Sequence, residues 1–193
     1  MSFKNLRVLF TFLVLIALFF RPQVAQAFFT EVSVSYMQKK TSFDAYNTYS
    51  AESTTGSLSF YFLEKLALEM SYTDGTSVKE ERVSNAQQTT VQKTQVIGAD
   101  LIWILSDRKA VFQPYLKGGA AQITRKQTIK IENTLVETLA PDVAIAPSYG
   151  IGCRFAVTEA FGLKLSYDIW KTPIGGGATT DDNAIKAGLS WIF

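Results

Sequence analysis

Short runs of alternating apolar and polar residues follow one another along the chain after residue 27. Period-two alternation is typical of β-strands, because successive side chains point to opposite faces of a sheet. Almost nothing in this region has the helical period. The pattern predicts eight strands, at residues 30–38, 56–63, 66–73, 94–105, 111–124, 144–157, 161–171 and 184–193. An even number of antiparallel strands can close into a ring. We therefore expect an all-β, eight-stranded antiparallel up-and-down barrel.

The two faces of these runs differ in the size of their residues. In the run 66–73, for example, Leu68 and Met70 alternate with Glu69 and Ser71. The polar face as a whole consists mostly of Ser, Gly, Ala and Thr with a few charges, which suits the cramped interior of an eight-stranded barrel. A soluble barrel of the lipocalin kind would face water with many more Lys and Glu. The composition favours a transmembrane barrel whose apolar face meets lipid, and outer-membrane fractionation would test it against a soluble periplasmic ligand-binding barrel.

The predicted connections alternate between short and long. Residues 63–66, 106–110 and 158–161 form tight links, whereas 39–55, 74–93, 125–143 and 172–183 are long and polar. Outer-membrane barrels have short periplasmic turns and long external loops. This orientation places two sets of aromatic residues at the two membrane interfaces, as in an aromatic belt. The lower set is Phe62, Trp103, Phe155, Phe161, Trp191 and Phe193, and the upper set is Tyr36, Tyr72 and Tyr149.

The first 27 residues have a different character. Lys4 and Arg7 precede an apolar run at 8–20, and Ala25-Gln26-Ala27 forms an A-x-A pattern. This order predicts a secretory signal peptide that is cleaved after Ala27, leaving a barrel domain at 28–193. The alternative is a transmembrane anchor, but the apolar run is shorter than the roughly 20 residues that a spanning helix needs.

Eight charged residues fall on the polar face of the predicted strands, with balanced signs. The formal net charge of the whole chain is only +2, which does not suggest nucleic-acid binding. Since buried charges must be paired, we expect an ion-pair network in the lumen. Counting from the strand ends predicts a lower tier and an upper tier. The lower tier is Glu31, Glu69, Arg154 and Lys164, and the upper tier is Asp100, Lys117, Asp168 and Lys186. The alternative is a gated, ion-selective conduit.

The chain contains no histidine. Histidine is the usual general base near neutral pH, and no other catalytic spacing stands out, so we expect no enzymatic activity. With a single cysteine, Cys153, we expect neither metal sites nor cofactors, and Cys153 itself is predicted to face lipid. Asp181 and Asp182 suggest a solvated loop or strand cap, and Gly175-Gly176-Gly177 suggests a flexible loop tip.

Two local motifs strengthen the barrel interpretation. Residues 114–120 read Pro-Tyr-Leu-Lys-Gly-Gly-Ala, and the chain ends in Ser190-Trp191-Ile192-Phe193. With the alternation, they make residues 28–193 resemble the small eight-stranded outer-membrane barrels typified by OmpX and the membrane domain of OmpA. The resemblance implies that Trp191 and Phe193 form the assembly signal read by the barrel-assembly machinery. It also implies periplasmic chaperones as transient partners, lipopolysaccharide and outer-membrane lipids as surroundings, and a monomer. Unlike in OmpA, we expect no periplasmic domain after the last strand.

The predicted loops also contain strand-like segments. Residues 77–95 are rich in Ser, Thr, Gln and Val, and residues 127–132 alternate beyond the predicted membrane span. We expect the fourth, fifth and sixth strands to continue outward as a protruding sheet, whose edge could bind foreign strands by β-augmentation. The leading functional hypothesis is a structural or adhesion-like surface role, and the alternative is a narrow channel for small solutes or ions.

Overall fold

A computed structural model describes residues 29–42, 44, 47–83, 86–132, 134–138, 142–174 and 178–193. The strands in chain order are β1 (Phe29–Ser42), β2 (Thr48–Leu63), β3 (Leu66–Val83), β4 (Ala86–Ile104), β5 (Phe112–Ile131), β6 (Thr134–Thr138), β7 (Asp142–Ala156), β8 (Phe161–Ile174) and β9 (Ala178–Ile192). No helix in the described part of the chain is long and apolar enough to cross a membrane.

Eight of these strands form a closed antiparallel ring, in the order β1, β2, β3, β4, β5, β7, β8 and β9. The ring closes where β1 pairs with β9, from Glu31 opposite Ile192 to Tyr36 opposite Ala187. The short strand β6 lies outside the ring and pairs with β5 alone among the described strands. Closure gives every wall strand a partner on both edges along the lower part of the ring, which a barrel in lipid requires. The predicted fold class is confirmed.

The outer wall is apolar around the whole ring. Large side chains such as Ile145 and Ile185 are 75% and 65% exposed. The residues that alternate with them are buried, including Glu69 between the half-exposed Leu68 and Met70. Apolar residues outside and polar residues inside agree with the predicted orientation, and Tyr36, Tyr72 and Tyr149 are exposed on the outside near the loop ends.

The four connections predicted to be long and polar are mostly strand, more of it than the expected protruding sheet includes. Strands run through most of 39–55, 74–93, 125–143 and 172–183, and β3 pairs with β4 without interruption up to Val83 opposite Ala86. Thr and Val favour strands, and Ser and Gln tolerate strand geometry. Above the membrane, both faces of a strand meet water. The apolar face, which marks a membrane strand in the sequence, therefore disappears while the backbone ladder continues.

The protruding sheet also differs from the expected one. It contains the upper parts of β2 and β3 besides β4, β5 and β6, whereas β7 begins only at Asp142. Asp181 and Asp182 lie within β9 instead of in a loop. Two further predictions lie outside the described residues. They are the loop tip at Gly175-Gly176-Gly177 and the signal peptide with its cleavage residues Ala25 and Ala27.

The buried interior is layered along the barrel axis. An apolar layer at the turn end contains Phe29, Tyr61, Ala67, Ile102, Ile104 and Tyr115. A second apolar layer toward the loop end contains Val96, Ala121, Ile123 and Ala146, with Trp170 packed against it. Between these layers lie the charged residues that the polar face of the strands contributes. This middle layer is the candidate site.

Candidate functional site

All eight charged residues predicted for the lumen lie inside the ring. Seven of them are between 1% and 8% exposed, and the side chain of Lys117 is 10% exposed. Each of these residues faces the lumen, and the residues directly before and after it in the same strand face outward. Since the interior excludes bulk water, these charges depend on one another for compensation.

The group closer to the turn end centres on the Lys164 ammonium. Its Nζ lies 2.7 Å from Oε2 of Glu69 and 3.7 Å from Oε1 of Glu31. The Arg154 Nε lies 3.9 Å from Oε2 of Glu31, and the Tyr61 hydroxyl donates a 2.8 Å hydrogen bond to the same oxygen. Strands β3 and β8 are diametrically opposite in the ring, so the Glu69–Lys164 ion pair spans the whole barrel interior.

The group closer to the loop end centres on Lys117. Its Nζ lies 3.0 Å from Asp168 and 3.9 Å from Asp100, and Asp168 also lies 3.0 Å from the Lys186 ammonium. Ser148 donates a hydrogen bond to Asp100. Lys117 further contacts Glu69 at 3.4 Å, so the two groups form one connected network instead of two separate tiers.

Glycines opposite the large lumen residues provide the space for this network. Gly150 pairs with Lys117 across β5 and β7, and a β-carbon on Gly150 would lie 2.7 Å from the Cε of that lysine. Gly152 pairs with Tyr115, where the added carbon would lie 2.4 Å from the ring. The register therefore matches a large residue on one strand to a glycine on the next.

Polar neighbours that sequence reasoning missed complete the network. Arg154 donates to Ser190 from Nε at 3.0 Å and to Gln113 from Nη1 at 3.3 Å. The Ser59 hydroxyl donates to Glu69 at 3.2 Å. These residues are neutral and have no distinctive sequence motif. The sequence could have identified them as lumen residues only because they occupy the alternate strand positions that face inward. Buried charges commonly need such additional hydrogen bonds.

Aromatic residues contact cations at both ends of the network. Arg108, in the turn between β4 and β5, lies over the Phe29 ring with its guanidinium carbon 3.4 Å from the centroid. The Lys186 Nζ lies 4.9 Å from the Trp170 centroid at the opposite end. These distances fall within the range of cation–π attraction. The cation–π contact of Lys186 belongs to the charged layer itself, whereas that of Arg108 lies in the turn region.

The predicted assembly residues lie at the carboxyl end of the closing strand. Trp191 pairs with Val32 on one side and Phe161 on the other, and its ring stacks against Phe193 with centroids 6.0 Å apart. Both aromatic side chains are exposed on the outer wall.

Cys153 occupies an outward position of β7 and is half-buried. Within the described ranges, no group of three or more His, Cys, Asp or Glu side chains is arranged to hold a metal ion.

A closed antiparallel ring with an apolar outer wall and ion pairs inside defines a transmembrane β-barrel. The family model described as "Outer membrane protein beta-barrel domain" matches residues 10–193. The chain belongs to this family and is an outer-membrane protein. A comparison with curated protein sequences finds no match.

Solved structures of small outer-membrane barrels share the fold. The amino-terminal barrel domain of OprF from Pseudomonas aeruginosa is 15% identical with a TM-score of 0.57, covering 85% of this chain and 97% of that one. Ail, the attachment invasion locus protein of Yersinia pestis, is 14% identical with a TM-score of 0.56, covering 86% and 99%. OprG from Pseudomonas aeruginosa is 10% identical with a TM-score of 0.60, covering 86% and 95%. At these identities the likeness concerns the fold alone.

Proposed function

We propose that this protein is a non-enzymatic envelope protein with a structural and surface-interaction role, and that its ion-pair network closes the lumen. The observation that carries the proposal is the Glu69–Lys164 pair, which joins opposite walls at 2.7 Å. An eight-stranded barrel encloses only enough space for side chains. An ion pair across its full width leaves little room for a continuous water path.

The two apolar layers support the same role. Ile102 and Tyr115 are 2% and 4% exposed below the charges, and Ile123 is 2% exposed above them. The cavity between Ile102, Tyr115 and Lys164 has a volume of about 10 Å³, about the minimum for one water molecule. A solute would have to displace both an apolar layer and several ion pairs in order to cross.

The protruding sheet supplies the surface-interaction part of the proposal. Among the described strands β6 pairs only with β5, which leaves its other edge available to a foreign strand. β-Augmentation uses main-chain hydrogen bonds along such an edge. The solved structure of Ail, a protein named for attachment and invasion, shares this barrel architecture and is compatible with an adhesion-like role. Periplasmic chaperones and the barrel-assembly machinery are the proposed partners during biogenesis, and the proposed mature form is a monomer.

Conductance of refolded protein in a planar bilayer tests the closed lumen. We expect wild-type protein to show no large open conductance, and Arg154→Ala to produce brief small openings by removing a cation that is 4% exposed. Lys93→Ala, on the exposed outer face of β4, is the matched control and should remain closed. A large, stable conductance of the wild type would overturn the proposal and favour the narrow channel.

Adherence of a non-adherent bacterium that expresses the protein tests the surface role. Plates coated with fibronectin or collagen provide the probe surfaces. We expect wild-type cells to adhere better than cells in which Thr134–Thr138 is replaced by a Gly-Ser linker. Equal adherence of the two strains, at equal amounts of folded protein in the outer membrane, would contradict a role for the β6 edge.

A further inference from the structure

A second cavity lies inside the barrel wall at the loop end, above the upper apolar layer, and we call it the vestibule. Its volume is about 140 Å³, compared with about 10 Å³ for the cavity below the charges. Its inward lining includes Tyr49, Ser53, Thr94, Arg125, Trp170 and Asp182. This volume suits one small polar molecule.

The vestibule combines an aromatic floor with uncharged hydrogen-bonding groups. Trp170 is half-buried and packs against Val96, Ala121, Ile123 and Ala146 of the upper apolar layer. The hydroxyls of Ser53 and Thr94 and the amide of Gln92 line the walls. Hydroxyl and amide groups can both donate and accept hydrogen bonds. The face of an indole carries negative charge density that attracts polarised C–H groups.

The two inward-facing charges in the described lining of the vestibule have opposite signs. Arg125 on β5 forms an ion pair and a hydrogen bond with Asp182 on β9, across the top of the barrel. Glu52, the third charged residue of the lining in the described part of the chain, is exposed and sits on an outward position of β2. The inward-facing charges of the described lining therefore offer a charged ligand no excess of opposite charge. A neutral ligand with several hydroxyls could hydrogen-bond to both members of the pair.

Among the described residues, two ladders of the barrel wall end at the level of the vestibule. The ladder between β7 and β8 ends at Ser148 opposite Trp170, and the ladder between β1 and β9 ends at Tyr36 opposite Ala187. Above these points, among the described residues, the β8–β9 hairpin forms ladder pairs only within itself. Both ladders end at the level of the upper tyrosines, where the polar part of the outer leaflet begins. These two ladder ends are the positions at which a ligand could enter the vestibule, from the aqueous exterior or from that polar layer.

We propose that the vestibule binds one neutral pyranose sugar, stacked on Trp170 and hydrogen-bonded to the Arg125–Asp182 pair and the neighbouring hydroxyls. A pyranose has an apolar face of C–H groups and a rim of hydroxyls, which matches an aromatic floor inside a polar wall. The sugar could be free in solution or attached to a lipid of the outer leaflet. This inference goes beyond the proposed function, since it requires neither the ion-pair network nor the β6 edge.

Binding by refolded full-length protein in phosphocholine micelles, which contain no sugar, tests the proposal. One arm titrates free methyl pyranosides of glucose, galactose, mannose and N-acetylglucosamine, and the other titrates the same sugars attached to a lipid. Tryptophan fluorescence and calorimetry provide the readouts. Saturable binding in either arm supports the site and identifies the source of the sugar. Absence of binding in both arms by folded protein overturns it.

Two variants and a control assign such binding to the vestibule. Trp170→Leu removes the aromatic floor, and Ala51→Phe fills the cavity without touching the ion-pair network. Each should weaken binding by about tenfold or more, the equivalent of about 1.4 kcal/mol. Gln122→Ala, on the exposed outward side of β5, should bind as the wild type does. Unchanged binding by Ala51→Phe, or tighter binding of sucrose octasulfate than of every neutral sugar, would also overturn the proposal.

Discussion

Glu69 on β3 and Lys164 on β8 form an ion pair between strands that face each other across the full width of the barrel, with Oε2 and Nζ 2.7 Å apart. Their side chains are 4% and 9% exposed. This pair links the lower charges to Lys117, because Glu69 contacts both lysines. The packing of the interior therefore depends on residues that are 95 positions apart in the sequence.

Replacing one member of this pair should destabilise the barrel strongly. Among the described residues, Glu69→Gln leaves Lys164 with Glu31, at 3.7 Å, as its one carboxylate partner, and deprives Lys117 of one of its carboxylates. Loss of one partner of a buried pair costs about 3 kcal/mol or more. We expect a decrease of that size in the free energy of unfolding, measured by urea denaturation in lipid vesicles.

An exposed ion pair provides the matched control for this experiment. Lys65 and Asp107 are 3.0 Å apart in the turns, with side chains 43% and 81% exposed. Asp107→Asn should change the stability by less than about 1 kcal/mol, since solvent screens such pairs. Equal effects of Glu69→Gln and Asp107→Asn would show that the lumen pair is not a buried, structural one.

Adding a side chain opposite Tyr115 should also destabilise the barrel. In Gly152→Ala the new β-carbon would come within 2.4 Å of the tyrosine ring and 2.5 Å of a backbone oxygen of β8. Overpacking of this kind typically costs about 1–3 kcal/mol. The same denaturation measurement applies. Gly56→Ala, where nothing lies within 4 Å of the added carbon, should leave the stability within about 0.5 kcal/mol of the wild type.

The three tryptophans should report the orientation of the two faces. Trp103 and Trp191 are 54% and 57% exposed on the outer wall, whereas Trp170 lines the vestibule. In single-tryptophan variants we expect brominated lipids to quench Trp103 and Trp191 and to leave Trp170 nearly unquenched. Quenching of Trp170 together with protection of Trp103 would mean that the apolar face encloses the interior, which would contradict the membrane barrel.

The terminal aromatic residue should matter for assembly in cells. Phe193 is 69% exposed and contacts Trp191 at the end of the closing strand, so it contributes little buried area. We expect Phe193→Ala to lower the amount of heat-modifiable protein in the outer membrane while leaving refolding of the purified protein unchanged. Phe112→Ala, which removes another exposed aromatic near the turn end, is the control. Normal outer-membrane levels of Phe193→Ala would contradict the assembly signal.

Alternation along the chain predicted the barrel and the direction of its side chains correctly. It did so because a strand with one face in hydrocarbon must place apolar residues at every second position. Leu68, Met70 and their neighbour Glu69 already show this in the sequence. The same reasoning missed the continuation of β3 from residue 74 to Val83, where both faces meet water and the apolar signal disappears.

The amino-acid sequence by itself determined which residues can point inward and which outward, because successive side chains of any strand alternate between its two faces. It could not determine which inward residues meet, because that depends on register and on the curvature of the closed ring. The tertiary structure alone brings Lys164 to Glu69 across the barrel, joins the two predicted tiers through Lys117, and places Arg125 beside Asp182 above the vestibule. These contacts join strands that are not neighbours along the chain, and no local pattern encodes them.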